Sequence, residues 1–181
     1  LHDIPATVRR AAANCAAGGA HMFNVHASGG RAMLEAAVAG ARDGASGEPA
    51  KVVAVTVLTS LDDSALAVLG VSTPIAELVV SWARLAKECG LDGVVCSAHE
   101  APSVRAECGE GFLLVTPGIR PAAAMDDQRR TMTPRRAIAA GADILVVGRP
   151  ITASADPSAS LAVINAEVGQ ALARASGLAK T

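Results

Sequence analysis

Short apolar runs alternate with longer stretches of helical periodicity along all 181 residues. Lys51–Leu58 reads K-V-V-A-V-T-V-L, a β-branched run that predicts a strand. Phe112–Val115 and Ile144–Val147 have the length and branching of strands buried on both faces. His21–His26 and Gly93–Cys96 predict two more. Between them the periodicity predicts helices over Ala6–Ala17, Gly30–Arg42, Pro74–Cys89, His99–Glu107, Pro134–Ala140 and Asp156–Ala175. Pro5 suits the first turn of the first helix, with Val8 and Ala12 on one face. Gly18-Gly19-Ala20, Gly90-Leu91-Asp92 and Gly141-Ala142-Asp143 are the same punctuation used three times. A glycine ends the helix in the left-handed conformation and the next residues enter the strand.

The repeating unit is therefore a strand followed by a helix, and the strands are expected to be parallel. The pattern is that of an α/β protein, part of a (β/α)8 TIM barrel of which five βα units are present. Five strands do not close a barrel of eight, so about three are expected before Leu1. Leu1 and His2 read as the tail of a strand, and Leu1-His2-Asp3-Ile4-Pro5 as the cut edge of a motif rather than a natural start. With no linker or low-complexity run, residues 1–181 read as one domain.

Composition narrows the function. There are 16 basic and 17 acidic residues, a formal net charge of -1, which offers no electrostatic footprint for nucleic acid or an anionic membrane. Mean hydropathy is +0.36, much of it from alanine, and no apolar run nears the roughly 20 residues that cross a bilayer. Trp82, Phe23 and Phe112 are the whole aromatic set, too few to build a stacking platform for bases. Cys15, Cys89, Cys96 and Cys108 lack C-x-x-C spacing and read as buried thiols of a cytoplasmic protein. His21 and His99 have no partners at metal-ligand spacing.

The candidate chemistry lies at two strand ends. Phe112–Val115 runs into Gly118 and Arg120, and Ile144–Val147 into Gly148 and Arg149. A turn through glycine brings a ligand close to backbone N–H groups, and a guanidinium beside them offers a fork of donors shaped for phosphate oxygens. In eight-stranded βα barrels the loops after strands 7 and 8 commonly hold a phosphate. The first expectation is a phosphorylated small molecule at the C-terminal face of a parallel sheet.

At this point the residues resemble a known family, the orotidine 5'-phosphate decarboxylases. The matching motifs are L-H-D-I-P at Leu1–Pro5, N-V-H-A-S-G-G at Asn24–Gly30 and V-T-V-L-T-S at Val55–Ser60. They continue with V-T-P-G-I-R-P at Val115–Pro121, D-Q-R-R at Asp127–Arg130 and V-V-G-R-P at Val147–Pro150. Six motifs in order, each at a strand end, make a specific signal for the shorter, single-domain bacterial type.

The resemblance implies decarboxylation of orotidine 5'-phosphate to UMP without cofactor or metal. Its charge network alternates Lys, Asp, Lys and Asp; one ammonium faces the developing C6 carbanion and then protonates it. The family pattern D-L-K-L-H-D puts Asp3 in the last carboxylate position and the proton-donating lysine two residues before Leu1. On that reading residues 1–181 alone are inactive. The resemblance also implies a homodimer in which Asp3 reaches the neighbouring active site, with Ile4 and Thr7 completing that pocket near the ribose. Thr59 corresponds to a nucleotide-contacting position, Gln128 and Arg149 to phosphate grippers with the Gly148 N–H beside them, and Arg120 to a ligand-contacting loop position.

Plainer readings compete at several positions. Asp3 can be an ordinary helix cap before Pro5, Thr59 a turn residue, and Arg129 and Arg130 a solvated loop face. His26 suits a supporting hydrogen bond better than catalysis, and Asp143 opens a strand at the stability face. The long segment from Gly118 to Thr133 reads as a lid carrying Gln128. The alternatives for the whole chain are a catalytically inactive phosphate-binding barrel fragment and another sugar-phosphate enzyme of the same superfamily.

Overall fold

The computed structural model describes residues 1–121 and 131–175. The elements run α1 (Pro5–Ala17), β1 (Met22–His26), a 3-10 turn at Ala27–Gly29, α2 (Gly30–Asp43), β2 (Lys51–Val55), α3 (Asp63–Val68) and α4 (Ile75–Glu88). They continue with β3 (Gly93–Val95), α5 (Ala101–Cys108), β4 (Leu113–Thr116), α6 (Pro134–Ala139), β5 (Ile144–Leu145), α7 (Arg149–Thr152) and α8 (Pro157–Ala175). The strands form one five-stranded sheet in sequence order, β1-β2-β3-β4-β5, every pair parallel. All five C-terminal ends therefore open on one side.

Strand alternation separates two faces. Val25, Val52, Ala54, Val94 and Leu114 point into one core with Leu34, Val79 and Val104 from the helices. Each strand's neighbours in sequence, such as Val53 and Val115, point the other way. Two close approaches fix the layers. Helix α2 presses on α1 through Gly40 and Gly44, where an added Cβ would sit 2.2 Å from the Arg9 carbonyl oxygen and 2.0 Å from that of Ala13. The three helix-to-strand turns use left-handed glycine as expected, at Gly19, Gly90 and Gly141.

Several elements differ from the sequence expectation. Strand β2 ends at Val55, three residues early; Thr56 donates both its N–H and its hydroxyl to the Val95 carbonyl, at 3.1 and 2.8 Å. Helices α3 and α7 lie in stretches the periodicity left as connections; six and four residues are too short to show a repeat. The Ile144–Val147 run was expected to be buried on both faces, yet β5 spans only Ile144–Leu145, with Ile144 37% and Val146 47% exposed. It is an edge strand, and among the described residues no strand covers its far side. Cys89, Cys96 and Cys108 are buried, whereas Cys15 is only half-buried; all four are free thiols. Burial pushes the Cys89 and Cys108 thiols up from their ordinary value.

Asp92 and Asp143 lock the N-terminal ends of the strands. Asp92 donates its N–H to the Val52 carbonyl at 2.9 Å, and its carboxylate accepts the Val52 N–H at 2.7 Å. Asp143 does the same with Leu114, at 3.0 and 2.7 Å. The stability role expected of Asp143 is what its contacts describe.

Candidate functional site

The two glycine–arginine turns emerge from the C-terminal ends of adjacent strands, β4 and β5. Gly118 is left-handed, with φ 76°, which turns the chain away from the sheet immediately before Arg120. Arg120 is only 5% exposed, and its Nη1 donates to the Ile119 carbonyl at 2.9 Å. A parallel bridge joins Ile119 to Met132: Arg120 N–H meets the Met132 carbonyl at 3.0 Å and Met132 N–H the Gly118 carbonyl at 3.2 Å. This bridge closes the stem of the long connection. Asp127, Gln128, Arg129 and Arg130 lie outside the described residues.

Gly148 caps α7, and its carbonyl accepts the Ile151 and Thr152 N–H groups at 2.9 and 3.1 Å. Arg149 begins that helix; both it and Gly148 are exposed. Thr59 follows the end of β2 and is half-buried. Its neighbour Thr56 is buried against β3.

Asp3, Ile4 and Thr7 sit at the N-terminus of α1. The backbone of Leu1 runs beside β1 in a parallel ladder, its nitrogen 2.7 Å from the Asn24 carbonyl and its carbonyl accepting the His26 N–H at 3.1 Å. This places Asp3 at the same C-terminal side of the sheet as the arginine turns. The cap residue of α1 is Ile4, with no side chain closing the first turn. The Asp3 carboxylate instead accepts the adjacent Ile4 N–H at 2.6 Å, so the helix-cap reading of Asp3 fails. Asp3 is exposed, Ile4 is 66% exposed and Thr7 is half-buried.

A model of the orotidine 5'-phosphate decarboxylase / HUMPS family matches residues 1–164. The chain belongs to this family. It is 53% identical over 179 residues to an orotidine 5'-phosphate decarboxylase of Chromobacterium violaceum, covering 97% of this chain and 71% of that relative. It is 52% identical over 173 residues to that of Moorella thermoacetica, covering 93% and 69%. Among solved structures, the orotidine 5'-phosphate decarboxylase of Lactobacillus acidophilus superposes with a TM-score of 0.81 at 40% identity, covering 93% of this chain and 72% of that one. An uncharacterized conserved protein from Geobacillus kaustophilus gives 0.79 at 45% identity, with 93% and 73% covered. The orotidine 5'-phosphate decarboxylase fold is thus the α/β barrel expected from the βα repeat, and this chain supplies five of its parallel strands.

One polar group at this family's strand ends went unread in the sequence. Glu100 is buried, and its carboxylate accepts the Ser97 N–H at 2.9 Å just beyond β3. The S-x-x-E pattern at Ser97–Glu100 is the signal that would have found it, since a glutamate three residues on reaches back to the serine N–H. His99 beside it is exposed, and no group of metal ligands occurs among the described residues.

Proposed function

We propose that this chain acts in the decarboxylation of orotidine 5'-phosphate to UMP, its strand ends holding the nucleotide and its Asp3 belonging to the charge network. The observation that carries the reading is the pair of arginine-bearing glycine turns at the ends of β4 and β5. A phosphate dianion there meets the Gly148 N–H and the Arg149 guanidinium, whose donors match two oxygens at once. Arg120, aimed by its bond to the Ile119 carbonyl, adds a second positive charge that water screens weakly. Gln128 completes the phosphate grip. Thr59 contributes a hydroxyl toward the pyrimidine edge or ribose.

Loss of carbon dioxide from C6 leaves a carbanion that has no conventional electron sink. Charges already in place stabilise it without reorganisation at the moment of reaction. Asp3 holds the neighbouring ammonium groups in orientation. Binding at the remote phosphate is used to hold the site closed and poor in water. Asp3, Ile4 and Thr7 serve the site of a second copy of the chain; an exposed isoleucine beside an acid suits a surface covered in a homodimer. The catalytic assembly works in the cytoplasm as a single domain.

Titration calorimetry with UMP and with ribose 5-phosphate tests the reading. UMP binding that weakens on Arg149→Ala, and exceeds ribose 5-phosphate binding, supports a nucleotide site. Equal affinity for the two ligands would favour a sugar-phosphate enzyme, and indifference to Arg149→Ala would sink the phosphate assignment. Sedimentation equilibrium of the chain and of Ile4→Asp tests the dimer, which the charge should dissociate.

A further inference from the structure

We infer that His26 is a positioning residue for Asp3, acting through a ring stack with His2. This rests on the reading of Asp3 as a site residue given above. The His2 and His26 rings lie 5.4 Å apart between centroids with 24° between their planes. His26 ends β1, on the same face of the strand as Met22 and Asn24 and opposite buried Val25. Its backbone N–H holds the Leu1 carbonyl. His2 also lies against the turn after β1, where an added Cβ at Gly29 would come within 3.3 Å of its Cδ2.

The tripeptide Leu1-His2-Asp3 is therefore fixed on one side by the ladder to β1 and on the other by α1, which Pro5 starts. Between these anchors, the ring of His2 is the side chain that can set the twist of the peptide before Asp3. The Asp3 carboxylate is turned back onto the Ile4 N–H at 2.6 Å. A rotated His2 would swing that carboxylate to a different direction, and a carboxylate that orders neighbouring ammonium groups works only within a narrow range of directions.

The stack also has an electrical condition. Two imidazoles stack without repulsion only while at most one is charged. The titratable groups facing His26 are His2 and the Leu1 amino group. Arg31, at the start of α2, is turned away to Glu88 and Glu35. Burial, and then charge on His2, hold the His26 ring below its ordinary value of 6.5. The pair is thus ready to stack at neutral pH and is loosened in acid.

Amide NMR on the 181-residue chain tests this with three variants. His2→Ala removes an exposed ring and does not threaten the fold; His26→Ala removes the platform; His26→Phe keeps a ring but not its proton. The Ile4 amide should exchange with solvent about threefold to tenfold faster in both alanine variants, the range expected for one lost hydrogen bond. It should stay protected in His26→Phe, and amides at Val8 and Ala12 should not change in any variant. In the wild type the Ile4 resonance should follow the His26 titration, and it should cease to follow it in His2→Ala even though His26 still titrates. An Ile4 amide indifferent to His2→Ala overturns the inference. So does equal loss of protection across α1 in every variant, which would make the ring a packing group. Failure of the Asp3 reading would look different: UMP binding and assembly untouched by Asp3→Ala, with the Ile4 response intact.

Discussion

The two ends of the sheet use the same residue types for opposite purposes. At the N-terminal end, Arg105 sits 14% exposed among carbonyls. It donates to Gly109, Glu110 and Phe112 through Nη1, and to Gly141 and the Asp143 carboxylate through Nη2. Asp143 in turn holds the Leu114 N–H. One guanidinium thereby ties α5, β4 and the turn into β5 together. At the C-terminal end, Arg149 and Asp3 are exposed. The Arg105 guanidinium is enclosed by the fold, whereas Asp3 and Arg149 reach the surface, where a ligand can meet them. This division matches the general split of βα barrels into a stability face and a catalytic face.

The sharpest way to break this comparison is Arg105→Ala. It removes five hydrogen bonds, two of them to part-buried carbonyls, and takes the cation from beside the Asp143 carboxylate, so unfolding free energy should fall by about 2–4 kcal/mol. For a chain of this size that lowers Tm by roughly 4–16 °C. Calorimetry or urea unfolding checks it; stability unchanged within error would mean the N-terminal network is decorative.

Arg149→Ala should show the reverse pattern. Arg149 is exposed at the start of α7, so its removal should cost less stability than that of Arg105, about 0–1 kcal/mol. Its charged contact to a phosphate is of the order of 1.5–3 kcal/mol, so Kd for UMP should rise roughly tenfold to a few hundredfold. Uridine, which lacks the phosphate, should bind both forms alike. A variant that loses stability and affinity in proportion would place Arg149 with Arg105 on the structural side.

How much of this was legible in the sequence follows the same division. Strands β1 to β4 and the long helices were readable, because their apolar period reports a core that exists. Strand β5 reads as buried on both faces, but burial is a property of the neighbours that cover a strand, and among the described residues none lies on its far side, so Ile144 and Val146 are exposed. Arg105 was invisible, since its acceptors are carbonyls brought together only by the turns at Gly109 and Gly141. The arginine turns were legible because glycine and arginine at a strand end are local. The direction of the Asp3 carboxylate was not, because it depends on the ladder between Leu1 and β1.

A smaller test of the N-terminal end is Asp92→Ala. It removes one acceptor from the Val52 N–H while Lys51, 4.0 Å from the carboxylate, loses only a half-exposed partner. Stability should drop by about 1–2 kcal/mol, less than for Arg105 because one bond is lost rather than a set. Asp92→Asn, which keeps an acceptor oxygen, should recover most of it. Equal losses in both would mean that charge, rather than the bond to β2, is what matters there.

The mildest expected effect is the acid response of the C-terminal end. The folded state holds the His26 ring below its ordinary value of 6.5, chiefly by burial and then by the positive charge of His2. In the window below about 6.5 the unfolded chain therefore binds more protons at this position than the folded one does, so stability falls as pH falls. The contribution is fully present above that window and is lost progressively as pH drops through the folded value. Thermal unfolding of the wild type between pH 7.5 and 5.5 should show this decline, and His26→Phe should flatten it. Arg105→Ala should leave the slope unchanged while lowering the whole curve, because Arg105 keeps its charge throughout and lies at the other end of the sheet. If His26→Phe retained the full slope, the acid sensitivity would belong to another group, and the C-terminal end would owe nothing of its stability to the state of this ring.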